Sequence, residues 1–317
     1  MNRCQVVSFY RFTRIADPRA LGEAMRAAAA SRGLLGTAIV AQEGLNATLA
    51  GPREALDALF AWLDTQPGFA SLQGRWSEAD EAPFRRLRIK YRDEIVSMGH
   101  PEVNPADGQG EHVDAARWNA LLDDPETLVI DTRNDYEIEV GTFTGAVDPG
   151  TTSFREFTAY VERELGDARE RPVAMFCTGG IRCEKATAVM RDMGFENLYQ
   201  LDGGILGYLD AVAADPELEQ KWEGECFVFD SRVAVDRDLA PGDYVQCHGC
   251  RRALSPEDLA HLDYEPGICC AHCVGNLTAE QRARLEERRR QVALADARGE
   301  AHIGAVYTPD VRRSGQG

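Results

Sequence analysis

Histidine is scarce in this chain: there are six in 317 residues, and none lies between Asp114 and Cys247. A nucleophile in that stretch has no local histidine to serve as its base. Long hydrophobic runs are missing too, and no apolar stretch approaches the roughly 20 residues that a bilayer-spanning helix needs. Residues 1–7 lack the apolar core of a signal peptide, so the expected compartment is the cytoplasm, with no membrane partner. Positive charge is in short supply, with 35 Lys and Arg against 52 Asp and Glu and a net charge of −17. That balance argues against indiscriminate binding to nucleic acid, though not against a local basic stripe. Internal repeats and low-complexity tracts are absent. Gly203-Gly204-Ile205-Leu206-Gly207 lacks the context of a dinucleotide fingerprint, so no organic cofactor is expected. No two histidines and a carboxylate group together as non-haem iron would require. Cysteine is plentiful by contrast: of nine, five crowd into residues 247–273. In a cytoplasmic protein such crowding suggests metal or redox chemistry before structural disulfides.

The hydrophobic pattern predicts an α/β protein with an added α+β domain. Residues 5–12 read as a strand, and Asp17-Pro18 opens a helix, with Asp17 at the cap and Pro18 at the first helical position. A strand at 35–41, a turn at 43–46, a strand at 46–50 and a helix from Pro52 to about Thr65 follow. One or two further strands lie between Gly74 and Met98. The order β-α-β-β-α-β predicts a ferredoxin-like α+β domain over residues 1–98, a candidate RNA binder. Residues 99–112 read as a linker rich in Pro, Gly and polar residues. Over 110–215 apolar strands at 128–131, 172–176 and 198–201 alternate with helices, the first capped by Asp114. This pattern predicts a parallel sheet covered on both faces. Residues 216–317 form a Cys-rich region ending in a charged helix, for which Thr278 and Gln281 supply a capping box.

The sharpest signal is Cys177-Thr178-Gly179-Gly180-Ile181-Arg182. It follows an apolar strand and leads into a helix, an arrangement whose backbone N–H groups and helix dipole converge on an anion. Gly179 and Gly180 permit the tight backbone, and Arg182 adds positive charge. A thiol in this cradle should ionise readily and act as a nucleophile, with Cys177 and Arg182 as the catalytic residues. The bland alternative, a buried cysteine acting as a small hydrophobe, does not account for two glycines and an arginine in one loop.

These residues resemble the active loop of rhodaneses. Asp131-Thr132-Arg133 with Glu137, followed by Gly141 to Ala146, is similar to a second rhodanese hallmark, with Thr142 where histidine is usual. Asp131, Arg133 and Glu137 read as a structural ion-pair network rather than as catalysts. A narrower resemblance spans nearly the whole chain. A ferredoxin-like domain with Glu43-Gly44-Leu45-Asn46, a rhodanese domain with Cys-Thr-Gly-Gly-Ile-Arg-Cys-Glu-Lys-Ala at 177–186 and a Cys-rich tail are similar to the tRNA uridine hydroxylase family. The resemblance implies that wobble uridine, position 34 of tRNA, becomes 5-hydroxyuridine, with molecular oxygen as co-substrate and Cys177 essential. An electron donor would be needed, and no motif identifies it. Cys183 could resolve a sulfenic acid or persulfide on Cys177, or could simply pack at the helix start; the two readings stand level.

Cys247-x-x-Cys250 and Cys270-x-x-Cys273, separated by nineteen residues (251–269), have the spacing of a tetrahedral structural zinc site. His248, His272 and Cys269 are spare ligands. Arg86, Arg88, Lys90 and Arg92 would share one face of a strand, as a row of cations suited to a phosphate backbone, with Phe84 and Tyr91 available for stacking. A charge-guarded edge strand is the alternative. The basic residues 282–290 alternate with glutamates and read as a solvated helix face. The competing function is a sulfurtransferase carrying a persulfide from a donor such as thiosulfate to an acceptor thiol. A phosphatase-like or arsenate-reducing loop would be longer, and a non-enzymatic interaction module would not need an intact Cys177.

Overall fold

The computed structural model describes residues 4–79, 82–230 and 232–298; residues 299–317 of the expected C-terminal region, His302 among them, lie outside the described residues. The chain divides into two units, Met1–Gln246 with Arg252–Ser255, and Cys247–Arg251 with Pro256–Gly317.

The first unit begins with β1 (Cys4–Phe12), α1 (Pro18–Ala30), β2 (Leu35–Ala41), β3 (Gly44–Gly51), α2 (Arg53–Asp64), β4 (Arg75–Ala79) and β5 (Leu87–Tyr91). Asp17 caps α1, its carboxylate accepting the Ala20 N–H at 2.9 Å, as expected. The strand order is β4-β1-β3-β2-β5, with β5 added parallel to β2 at the edge. The turn between β2 and β3 is tighter than the sequence suggested: Gly44, Leu45 and Asn46 already pair with β1 and β2. Alternation along β1 sends Val7 and Phe9 beneath α1 and α2 into a core with Met25, Leu45 and Leu59. Each such burial stabilises by roughly 1.5–3 kcal/mol. Ser8 and Tyr10 therefore fall on the face of the sheet that neither helix covers.

The chain continues through β6 (Glu111–Val113), α3 (Ala115–Asp123), β7 (Leu128–Asp131), α4 (Asp135–Ile138), β8 (Gly141–Phe143), α5 (Phe157–Leu165), β9 (Val173–Phe176), α6 (Ile181–Asp192), β10 (Leu198–Leu201) and α7 (Gly204–Ala214). Asp114 caps α3, its carboxylate accepting the Arg117 N–H. The sheet runs β6-β10-β9-β7 and is parallel throughout. The end of the expected linker thus joins the sheet as β6. Val173 to Phe176 are all buried, which is why β9 reads as an unbroken apolar run rather than an alternating one. Helix α6 starts three residues earlier than the apolar pattern indicated, so Arg182 and Cys183 occupy its first turn.

In the second unit Ala279–Asp296 is an 18-residue helix whose capping box joins Thr278 and Gln281 as expected. Its arginines are largely paired with glutamates: Arg289 and Arg282 with Glu265, and Arg290 with Glu287. Among the described residues no helix is long and apolar enough to cross a membrane.

Candidate active site

Parallel sheets bring reactive groups to the carboxyl ends of their strands, and here β9 ends one residue before Cys177. Cys177 is 1 % exposed. Its Sγ accepts the Gly180 N–H at 3.1 Å. Burial opposes ionisation of this thiol. Hydrogen bonding from Cys183, the positive charge of Arg182 and the N–H groups of Arg182 and Cys183 outweigh it, lowering the Cys177 pKa to about 5. Cys183 moves the opposite way, raised by burial and by the neighbouring thiolate, so it stays the protonated donor of the pair. Thr132 Oγ1 lies 3.6 Å from the Cys183 sulfur.

Gly180 adopts φ +95°, a left-handed conformation that disfavours any side chain. Gly204 has φ +63°, and a Cβ there would lie 2.4 Å from the Cys177 carbonyl oxygen, which accepts the Ile205 N–H. Gly179 has no such constraint; a Cβ would meet nothing within 4 Å. It leaves open space beside the thiolate instead. Thr178 Oγ1 is buried and has no hydrogen-bond partner among the described residues. Ile181 packs with Phe12, Ala41 and Ile95 of the first domain.

Arg182 is not a free cation. Its guanidinium is held by both oxygens of buried Glu137, each at 2.7 Å. Arg133 is wholly buried, forks onto Asp131 and donates to the Glu137 carbonyl. Thr142, where rhodaneses usually carry histidine, donates to Asp131 at 3.0 Å. The expected ion-pair network exists and reaches one residue further, locking the active loop to the end of β7. Single buried ions are costly, so every member needs its partner.

Sequence reasoning missed what the first domain supplies. Tyr10, on the helix-free face of the first sheet, donates to Glu184 Oε1 at 2.7 Å. Its hydroxyl stands where a Gly180 Cβ would be only 2.8 Å away. Lys185, fully buried, pairs with Glu43 and lies 3.6 Å from Glu94, while donating to the Val103 carbonyl at 2.6 Å. Glu94 accepts N–H groups of Met98, Gly99 and His100, and Glu43 accepts that of Ile95. The sequence marks residues 5–12 as a strand, but only tertiary packing reveals what Tyr10 meets.

Between the helix-free sheet face and the Cys177 loop lies a cleft of about 1510 Å³, lined by Tyr10, Arg11, Lys90, Cys177 and Glu184 among others. Small-molecule pockets usually measure about 300–1,000 Å³. Only Arg88 and Lys90 of the expected basic stripe lie within β5, either side of buried Ile89; Arg86 and Arg92 flank the strand and are exposed, because pairing with β2 ends at Tyr91. Of its four cations, Lys90 lines the cleft and the other three stand outside the lining. Phe84 lines it as well. Tyr91 does not stack there: it points the other way, with Arg19 over its ring and its hydroxyl bonded to Glu23.

In the second unit Cys247, Cys250, Cys270 and Cys273 bring their sulfurs within 4.8 Å of one another. Three of the separations are 3.8, 3.7 and 3.9 Å. A tetrahedral thiolate site with bonds of about 2.3 Å places its sulfurs about 3.8 Å apart, so this donor set fits a metal. Cys269 turns away to the Asp263 carbonyl and His272 faces Asp258, so neither joins the cluster. His248 is likewise outside the four-sulfur set.

Residues 4–95 match the UPF0176 acylphosphatase-like domain, and residues 114–211 match the rhodanese-like domain. Among solved structures, the chain is similar to the rhodanese-like domain of an Anabaena protein (20% identity, 36% of this chain and 78% of that one, TM-score 0.30). A rhodanese-related protein from Thermoplasma volcanium matches at 18% identity over 32% of this chain and 92% of that one, with TM-score 0.25. A BLUF protein in its dark state matches at 23% identity over 32% of this chain and 84% of that one, with TM-score 0.26. The chain thus joins a UPF0176 acylphosphatase-like domain to a rhodanese-like domain and ends in a four-cysteine cluster able to hold a metal.

Proposed function

We propose that this protein is a tRNA-modifying enzyme that hydroxylates wobble uridine at C5, with Cys177 as nucleophile and molecular oxygen as co-substrate. One oxygen atom enters the base and the other leaves as water, with two electrons and two protons supplied by a separate donor. The observation that carries this reading is the placement of Cys177, its sulfur held by the Gly180 N–H, in a cleft between two domains. At about 1510 Å³ the cleft has room for a nucleotide and far exceeds a small sulfur donor. Uridine C5 becomes nucleophilic once a thiolate has added at C6, a role that suits Cys177. Arg11 and Lys90 offer charge to flanking phosphates, and Arg88 on the edge strand, with Arg86 and Arg92 just beyond its ends, extends that charge. The resemblance of residues 177–186 to the tRNA uridine hydroxylase family supports the oxygen chemistry.

Persulfide transfer is the second reading, favoured by the loop alone: an N–H cradle that holds a thiolate also suits a persulfide. Nucleoside mass spectrometry of tRNA from cells lacking the protein separates the two. The hydroxylase reading expects loss of 5-hydroxyuridine derivatives, restored by wild type and not by Cys177→Ala. Unchanged hydroxylation with loss of a thiolated product would favour persulfide transfer.

The four-cysteine cluster is read as a structural zinc site, since four filled positions leave none open for substrate. Purified protein is expected to carry about one zinc per chain by elemental mass spectrometry. Cys270→Ser is expected to lose it. Metal-free protein with an unchanged far-ultraviolet circular dichroism spectrum would contradict the assignment.

A further inference from the structure

We propose that Glu184 is the proton acceptor of this site, taking the C5 hydrogen of the bound pyrimidine, and that Tyr10 is its positioning residue. The proposal rests on the reading that the cleft receives a uridine. Glu184 sits in the first turn of α6, two residues after Arg182, and lines the cleft beside Cys177. The Tyr10 hydroxyl occupies its Oε1, which leaves Oε2 to take a proton. Tyr10 comes from the other domain and stands against the Cys177 loop at Gly180. The carboxylate is therefore fixed relative to the sulfur by both walls of the cleft.

The surroundings suit the role. Burial raises the Glu184 pKa; the Tyr10 hydrogen bond and the charges of His112 and Arg11 pull it back, and the Cys177 charge pushes it up. Burial raises Tyr10 well above its ordinary range, together with Glu184 and the Cys177 charge, so the phenol remains a donor. Among the described residues no histidine lines the cleft, and a carboxylate of raised pKa is suited to accept a carbon-bound proton near neutral pH.

The addition, proton transfer and elimination balance without a redox agent; only the oxygenation draws on the two electrons of the separate donor. Addition of the Cys177 sulfur to C6 forms an S–C6 bond and moves the C5=C6 pair onto C5. Elimination reverses it. The C5–H bond breaks, its electron pair becomes C5=C6, the proton goes to Glu184, and the S–C6 pair returns to Cys177. After oxygenation, C5 carries both hydroxyl and hydrogen, and this elimination releases 5-hydroxyuridine. Without oxygen, protonation of C5 followed by loss of either hydrogen exchanges the C5 hydrogen with solvent.

That exchange is the test. Full-length protein is incubated anaerobically in D₂O with a tRNA transcript carrying uridine at position 34, and deuterium at C5 is read by nucleoside mass spectrometry. Wild type is expected to exchange. Glu184→Gln is expected to slow exchange about 10²–10⁴-fold, the usual worth of a positioned general base. Alkylation of Cys177 by iodoacetamide should stay near the wild-type rate in that variant, showing that loop and thiolate persist. Tyr10→Phe should slow exchange about tenfold, the worth of one hydrogen bond to a charged group. Glu184→Asp should recover part of the Glu184→Gln loss. Undiminished exchange in Glu184→Gln overturns the assignment of Glu184, and no exchange by wild type overturns C5 proton transfer altogether. The hydroxylase reading itself stands or falls separately, on cellular 5-hydroxyuridine.

Discussion

Replacing Lys185 by methionine is expected to destabilise the protein by about 3–5 kcal/mol, the usual cost of removing one partner from a buried ion pair. Lys185 is fully buried, and Glu43 and Glu94 are 4 % and 5 % exposed. Two carboxylates would be left facing each other in low dielectric. Burial already raises the Glu43 pKa, with Lys185 opposing it; without the lysine, Glu43 would rise further and take up a proton. Glu94 keeps the N–H groups of Met98, Gly99 and His100 and Glu43 only that of Ile95, so Glu43 should account for most of the loss. Lys185 follows the active loop by three residues, while Glu43 lies in the β2–β3 turn of the first domain. The same variant should therefore loosen the wall that carries Tyr10. The checks are the midpoint of urea unfolding and activity at a permissive temperature. Converting all three residues together, Lys185→Met with Glu43→Gln and Glu94→Gln, should recover much of the stability, because no buried charge remains. A loss below about 1 kcal/mol in the single variant, typical of a solvated surface pair, would show that the triad is not buried as described.

Much of this architecture is legible in the residues because its signals are local. Asp17-Pro18 and Asp114 are caps that work within one turn, and both helices start there. The apolar run at 173–176, and the largely apolar segments at 128–131 and 198–201, mark the buried parallel strands. The cysteine spacing in the tail fixes a four-sulfur set because each Cys-x-x-Cys turn aims both sulfurs to one side. What was not legible is contact across long separations. Tyr10 and Glu184 are 174 residues apart and Glu43 and Lys185 are 142 apart, and no periodicity links them. Tyr91 was misread for the same reason. Its place in the alternation was right, but which face α1 covers is decided by packing. The partner of Arg182 was legible only in part: Asp131, Arg133 and Glu137 read as a network, while the capture of the loop arginine by Glu137 needed the fold.

Cys177 is ionised by Cys183, Arg182 and the backbone N–H groups of its loop, with no histidine among the causes. An ordinary cysteine titrates near 8.5. With a Cys177 pKa of about 5, the thiolate is fully formed at neutral pH. Absolute rate is a poor gauge, because nucleophilicity falls as pKa falls; the pH profile is the sound one. The contributions can also be separated. Cys183→Val removes the thiol donor, and Arg182→Gln removes the charge while keeping the backbone N–H. Each should move the Cys177 midpoint upward, and the pair together should bring it most of the way to an ordinary thiol. The measurement is the pH dependence of Cys177 alkylation by iodoacetamide, followed by peptide mapping to keep the other cysteines apart. The expected midpoint is near pH 5, with a plateau by neutrality. A midpoint at about 8–9, unmoved by Cys183→Val or Arg182→Gln, would contradict it.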